Sequence, residues 1–283
     1  MVKKVFCIAV YSIRQWISNP RIICLFILMG IYVWNDISAI GSLTRMTGIR
    51  TNPLAFPFFS SDPVKQLILL AGIIFLFSDA PFISKNQPYL IIRSKRIPWV
   101  MGQILYIGMA SAIYFLALML VSILVLLPYG TFATDGWGKI LNTLAQTNAG
   151  AQINLQFGIT REIITFYSPW EAFGLSFLLN WYIGCFFGLL LFEINLKFNR
   201  MLGLIVSGGI LFFDLLVTNA LSPFAYHFSP VSLSRLSVLD PMGVSLYPDL
   251  IYPFLFFSIS MVALSSLIIV SIKNVPIEIV PEL

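Results

Sequence analysis

The residues able to do chemistry are few, and none stand at a catalytic spacing. The chain has one histidine, His227. A zinc centre of the usual kind needs several His, Cys or carboxylate ligands, which one imidazole does not supply. Cys7, Cys24 and Cys185 fall in or beside apolar runs. No pair of them has a metal-ligand spacing, so they read as buried thiols. HExxH is absent, as is a GxSxG elbow with an acid and base to serve it. No GxxxxGK[ST] loop is present to cradle a phosphate chain. These absences weigh against a membrane protease, a lipid transferase or a nucleotide hydrolase. No catalytic residue, cofactor site or metal site is expected in this chain.

Four polar residues in or beside apolar runs remain: Asp79, Asn180, Glu193 and Asp214. Asp214 lies about two thirds of the way along its run. A carboxylate there is costly unless it is paired or lines a wet path, so it is a candidate for a substrate or ion pathway. The plainer reading, which weighs more, has it satisfied by Asn219, by nearby Ser and Thr, or by water. Asp79 and Glu193 sit near the ends of their runs and are expected to pair with basic loops. Asn180, mid-run, reads as hydrogen-bonding glue between helices.

The elements that carry these residues are set by composition. The 283 residues are 58% hydrophobic and 10% charged, with a mean hydropathy of +0.90. A soluble domain carries roughly 25% charged residues, so the chain lacks the polar surface to coat a soluble globule. The expected class is an all-α integral membrane protein, one transmembrane domain over 1–283. Six spans are expected at about 22–40, 64–83, 99–127, 169–192, 201–221 and 251–272; roughly 20 residues cross a bilayer, and the longer third either tilts or projects its first turns into the cytoplasm. Gly184 and Gly188 form a GxxxG pair in the fourth, a spacing that lets helices approach closely. Lys65 is expected to snorkel at the end of the second.

Residues 3–18 precede the first span. On a helical wheel, Val5, Phe6, Ala9, Val10, Ile13, Trp16 and Ile17 share one arc. Lys3, Lys4, Cys7, Tyr11, Arg14, Gln15 and Ser18 share the other. That is an amphipathic helix with a basic face, suited to the headgroup plane, and Pro20 separates it from the first span. The connections 41–63 and 128–168 read as loops. Residues 222–250 are proline-punctuated yet apolar, which suits short helices at the membrane surface.

Six spans put both termini on one side, and the basic residues say which. Eleven of the 17 Lys and Arg fall on the side of the termini and six on the other. The termini are therefore expected in the cytoplasm, in a multi-pass protein of the cell membrane. The net charge of +5 reports this clustering beside apolar runs, not a nucleic-acid surface. The largest internal polar stretch is Asp79 to Gln103. It holds Lys85, Arg93, Lys95 and Arg96 with Pro81, Pro88 and Pro98.

This layout resembles the membrane-spanning permease subunit of a type-2 ABC exporter: an amphipathic helix, six spans, a basic loop between spans two and three, and an apolar excursion between five and six. The local match is Leu90, Arg93, Lys95, Arg96, Trp99, Gly102 and Gln103. It corresponds to the family pattern Leu-Leu-x-x-Pro-x-x-Arg-x-x-x-x-x-Gly-Lys ahead of the third span. The chain departs from the pattern in three places. Its proline is displaced to Pro98, Gln103 stands where Lys is usual, and Asp79 takes the place of a Glu. The resemblance implies that Leu90, Arg93, Lys95, Arg96, Pro98 and Trp99 form a coupling loop, with a short helix within about 84–97. An ABC ATPase subunit would dock there and bind ATP and Mg. A second permease subunit, from the same or a related chain, would complete the path for a peptide-like or amphiphilic substrate. The alternative is a non-transporting scaffold or immunity protein that binds a peptide at its outer loops.

Overall fold

The structure is a computed structural model and describes residues 2–82, 94–132 and 136–274, with Lys273 and Asn274 by backbone alone. Leu90 and Arg93, with residues 84–93 of the helix expected within about 84–97, lie outside the described residues. Among the described residues, twelve α-helices run in chain order: α1 Val2–Arg14, α2 Pro20–Thr47, α3 Phe56–Ser61, α4 Pro63–Phe77, α5 Arg96–Leu126, α6 Gly138–Gln146, α7 Ala149–Gln152, α8 Arg161–Phe166, α9 Pro169–Lys197, α10 Arg200–Ala220, α11 Pro230–Leu233 and α12 Ile251–Asn274. Among the described residues, α2, α5, α9, α10 and α12 are long and apolar enough to cross a membrane. The fold is therefore all-α with several membrane-crossing helices. Helix α4 is apolar but has 15 residues, about 22 Å at the α-helical rise, against a hydrocarbon core of about 30 Å.

Helix starts follow one local recipe. Asn19, Asp62, Ser168 and Ser229 each precede a proline and accept a backbone N–H of the first turn. The cap fills an orphan donor, and proline in the first position loses none that was needed. At α9 the cap is reciprocal: Ser168 N–H also donates to Glu171 Oε2 at 3.0 Å. Helix α2 ends at Gly48, whose φ of 68° suits a left-handed stop.

Helices α5 and α9 form the centre. Helix α9 packs against α3, α4, α5, α10 and α12, while α1, α2 and α12 flank α5. The approach of α9 to α5 and α4 depends on its two glycines. A Cβ at Gly184 would lie 3.0 Å from Phe115 and 3.1 Å from Ser111, and one at Gly188 would lie 3.0 Å from Phe77. Trp181 Nε1 then donates to the Gly108 carbonyl at 2.8 Å, tying α9 to α5. Helices α10 and α12 leave most of their apolar surface outward.

Three expectations are corrected. The connections 41–63 and 128–168 are not plain loops, because the first contains α3 and the second contains α6, α7 and α8. Leu54, Ala55, Phe56, Phe58 and Phe59 are all fully buried. Phe58 packs on Trp137 at 4.7 Å and Phe59 on Phe157 at 5.5 Å. Helix α4, where the second span was expected to run to 83, ends at Phe77, and Ser78 to Phe82 form turns. Cys7 and Cys24 are exposed, and Cys185 alone of the three is buried.

Helix α1 continues through a 3-10 turn at Gln15–Ser18 and divides into three faces. Ile8, Ala9 and Ser12 are buried against α5, where Ile8 and the Val5 carbonyl close over Gly102. Val2, Phe6 and Ile17 form an exposed apolar strip. Lys3, Lys4 and Arg14 are exposed beside it. The buried face is rotated from the predicted apolar arc toward Ile8 and Ser12, because α5 takes one edge of that arc and leaves the rest outward.

Candidate functional site: polar hubs at the two ends of the bundle

Arg21, Asp79, Arg200, Glu193 and the start of α5 gather at the end of the bundle that carries α1. Asp36, Lys65, Asp214 and residues 222–250 gather at the far end.

At the far end, Asp214 on α10 is fully buried. Its Oδ1 accepts the hydroxyls of Ser229, at 2.7 Å, and Ser232. Its Oδ2 pairs with Arg235 Nη2. Arg235 is 1% exposed. Its Nε donates to Gln66 Oε1 at 2.5 Å and its Nη1 to Thr218 Oγ1 at 3.0 Å. Gln66 Nε2 then donates to the Ser234 hydroxyl. The charge pair is thus enclosed and hydrogen-bonded all round, the condition under which a buried pair is tolerated. Burial lowers the Arg235 pKa from its ordinary value, and the Asp214 carboxylate opposes that shift.

One residue before Gln66, Lys65 turns inward instead of snorkelling. Its Nζ lies 2.8 Å from Asp36 Oδ2, with side-chain exposures of 9% and 4%, and 5.3 Å from the centroid of the Tyr32 ring. The first turn of α4 therefore locks α2 through Lys65 and the 222–250 segment through Gln66, and Arg235 carries that link on to α10. Farther along that segment, Asp240 accepts the backbone N–H groups of Met242, Val244 and Ser245. Hydrogen bonding from Ser245, its side chain first and its backbone next, together with the Met242 and Val244 amides, holds the Asp240 pKa down at about 2. Burial pushes the Tyr167 hydroxyl up to about 12.

At the α1 end, Asp79 follows α4 and is about half exposed. Arg21, in the first turn of α2, pairs with it and also donates to the Ser78 hydroxyl and, at 2.6 Å, to the Phe75 carbonyl. Arg200, first residue of α10, reaches Asp79 Oδ1 at 3.7 Å and is 54% exposed. Glu193 accepts Ser271 Oγ at 2.8 Å and Lys197 Nζ at 2.7 Å, which links α9 to α12. Between α1, α2, α4 and α5 lies a cleft of about 320 Å³ with Arg21, Asp79 and Arg200 on its wall.

The four intramembrane polar residues thus part company. Asp79 and Glu193 pair with basic residues, supplied by helix ends. Asp214 takes serines, as the plainer reading expected, but its charge partner Arg235 was not foreseen, and Asn219 instead donates to the Leu215 carbonyl of its own helix. Asn180 is not interhelical glue through its amide: Nδ2 donates to the Ser176 carbonyl of its own helix at 2.8 Å. Of the expected coupling residues, Lys95 and Arg96 are exposed and Trp99 is buried. Arg235 could have been found as the one charge inside the otherwise apolar and serine-rich run Ser229–Leu239. Among the described residues, no cluster of three or more His, Cys, Asp or Glu could hold a metal ion.

No protein-family model matches the chain, and no curated protein or solved structure does either.

Proposed function

We propose that the chain is the permease subunit of an ABC exporter, with α2, α4, α5, α9, α10 and α12 as its six spans and the α1 end in the cytoplasm. A separate ATPase subunit supplies the power, and a second permease subunit completes the path for a peptide-like or amphiphilic substrate. The observation that carries this reading is the seating of the basic segment's C-terminal end. Lys95 turns the chain at a φ of 72°, a value rarely tolerated outside glycine. Arg96 Nη1 then donates to the Ile272 carbonyl on α12 at 3.3 Å. Trp99 is buried with its ring 6.3 Å from that of Phe192 on α9, and Gly102 receives α1. A push on the exposed cations is therefore delivered to α1, α5, α9 and α12 together. An exposed, closely spaced set of cations also suits an acidic groove on a partner.

The test is co-purification with an ATPase encoded beside this chain. Changing Arg93, Lys95 and Arg96 together to Glu is expected to abolish the complex while the chain remains in the membrane. A complex of unchanged yield would refute docking at this segment. Export that persists when the partner's ATP hydrolysis is abolished would refute the ATP-driven exporter reading itself.

A further inference from the structure

We infer that the cleft at the α1 end is a binding site for an anionic phospholipid, with the headgroup phosphate on Arg200. The inference uses the membrane-crossing architecture and is independent of any transport activity. The cleft holds about 320 Å³, and its described wall is graded. Ser12, Gln15, Asn19, Arg21, Asp79 and Arg200 make its polar part. Ile22, Leu25, Phe75 and Leu76, up to about one turn farther along α2 and α4, make its apolar part. An amphiphile fits that gradient and a soluble anion does not use its apolar half.

The charge supports an anion. Asp79 is neutralised by Arg21, whose guanidinium is also engaged by Ser78 and Phe75. Arg200 adds a second cation through one long contact at 3.7 Å. The described wall therefore carries a net positive charge. Ser12 is 5% exposed, and its hydroxyl has no hydrogen-bond partner among the described residues although Ser12 lines the cleft. A buried hydroxyl without a partner is costly, and a phosphate or glycerol oxygen would satisfy it. Helix α1, which forms one wall, presents Val2, Phe6 and Ile17 beside Lys3, Lys4 and Arg14. An exposed apolar strip flanked by cations belongs at the surface of an anionic leaflet. The mouth of the cleft is thus set at headgroup level.

The purified chain, delipidated in mild detergent, is titrated with dioleoylphosphatidylglycerol, with dioleoylphosphatidylcholine and with inorganic phosphate. Bound lipid is read by native mass spectrometry and by thermal stability. Phosphatidylglycerol is expected to be retained and to raise the midpoint, with weaker retention of the zwitterionic lipid and no effect of phosphate. Arg200→Gln should weaken phosphatidylglycerol retention about five-fold, the worth of one cation at an anionic surface. Lys139→Gln, which removes one cation far from the cleft, should leave it unchanged. Arg200 is half exposed, so its loss does not endanger the fold, and Arg200→Lys should retain most of the binding. Equal retention of the two lipids, an equal effect of phosphate alone, or wild-type binding by Arg200→Gln would each overturn the inference.

Discussion

The two ends of the bundle use the same residue types to opposite effect. At the far end, Asp214 and Arg235 are 0% and 1% exposed, and Asp36 and Lys65 nearly as enclosed. Their partners come from separate elements: α2, α4, α10 and the 222–250 segment. At the α1 end, Arg21, Asp79 and Arg200 are 30%, 48% and 54% exposed, and a cleft opens beside them. Buried pairs specify one arrangement, because breaking them strands a charge away from water. Half-exposed pairs exchange partners with water and lipid at little cost. The far end is therefore built to be held, and the α1 end to be contacted.

The sharpest test of this contrast is Arg235→Ala. It strands Asp214 as an uncompensated buried charge, and is expected to cost about 3–5 kcal/mol. Replacing both partners, Asp214→Leu with Arg235→Met, should recover a substantial part of that loss, since apolar groups of similar size can substitute for a buried pair. Thermal denaturation of the purified protein in one fixed detergent measures both. An Arg235→Ala variant as stable as the wild type would mean that water reaches the pair. It would also reopen Asp214 as a residue of a polar pathway.

The counterpart at the α1 end is Asp79→Asn. Its partners are solvated and keep other bonds, as Arg21 does to Phe75 and Ser78. The same denaturation measurement is expected to fall by about 1 kcal/mol or less. A loss as large as that of Arg235→Ala would erase the distinction between the two ends.

How much of this was legible in the sequence follows from the range over which each signal acts. The helix starts were local: Asn-Pro, Asp-Pro and Ser-Pro pairs name their own caps. The apolar runs at α2, α5, α9, α10 and α12 were long enough to speak for themselves. The glycine pair in α9 stood at a spacing that has one common use. What failed was non-local. Phe56 to Ser61 reads as a loop because it is short and opens with Phe-Pro, and its burial comes from Trp137 and Phe157, some eighty to a hundred residues away. Lys65 looks like a snorkelling cation because its position along the helix is visible and the direction it faces is not. Asp214 could be flagged as costly, but its partner Arg235 lies 21 residues on, across a proline-broken segment with no periodicity to fix its place.

The smallest expected effect lies within the far end, at the half-buried acid Asp240. Asp240 holds the turn 240–245 by accepting three backbone N–H groups, while its own N–H closes the loop on the Pro248 carbonyl at 2.9 Å. The bonds favour the carboxylate, so its folded pKa, about 2, lies below the unfolded value of about 3.9. A depressed carboxylate contributes stability above the unfolded value and loses it as pH falls through the folded one. Hydrogen-exchange protection of the Met242, Val244 and Ser245 amides, corrected for intrinsic rates, should therefore stay level down to about pH 4 and decline toward pH 2. In Asp240→Ala it should be low throughout. Because its bonds stay within one local turn, Asp240 should leave the denaturation midpoint of the whole protein almost unmoved at neutral pH. A large drop there would make this turn, and not the enclosed Asp214–Arg235 pair, the element that holds the far end.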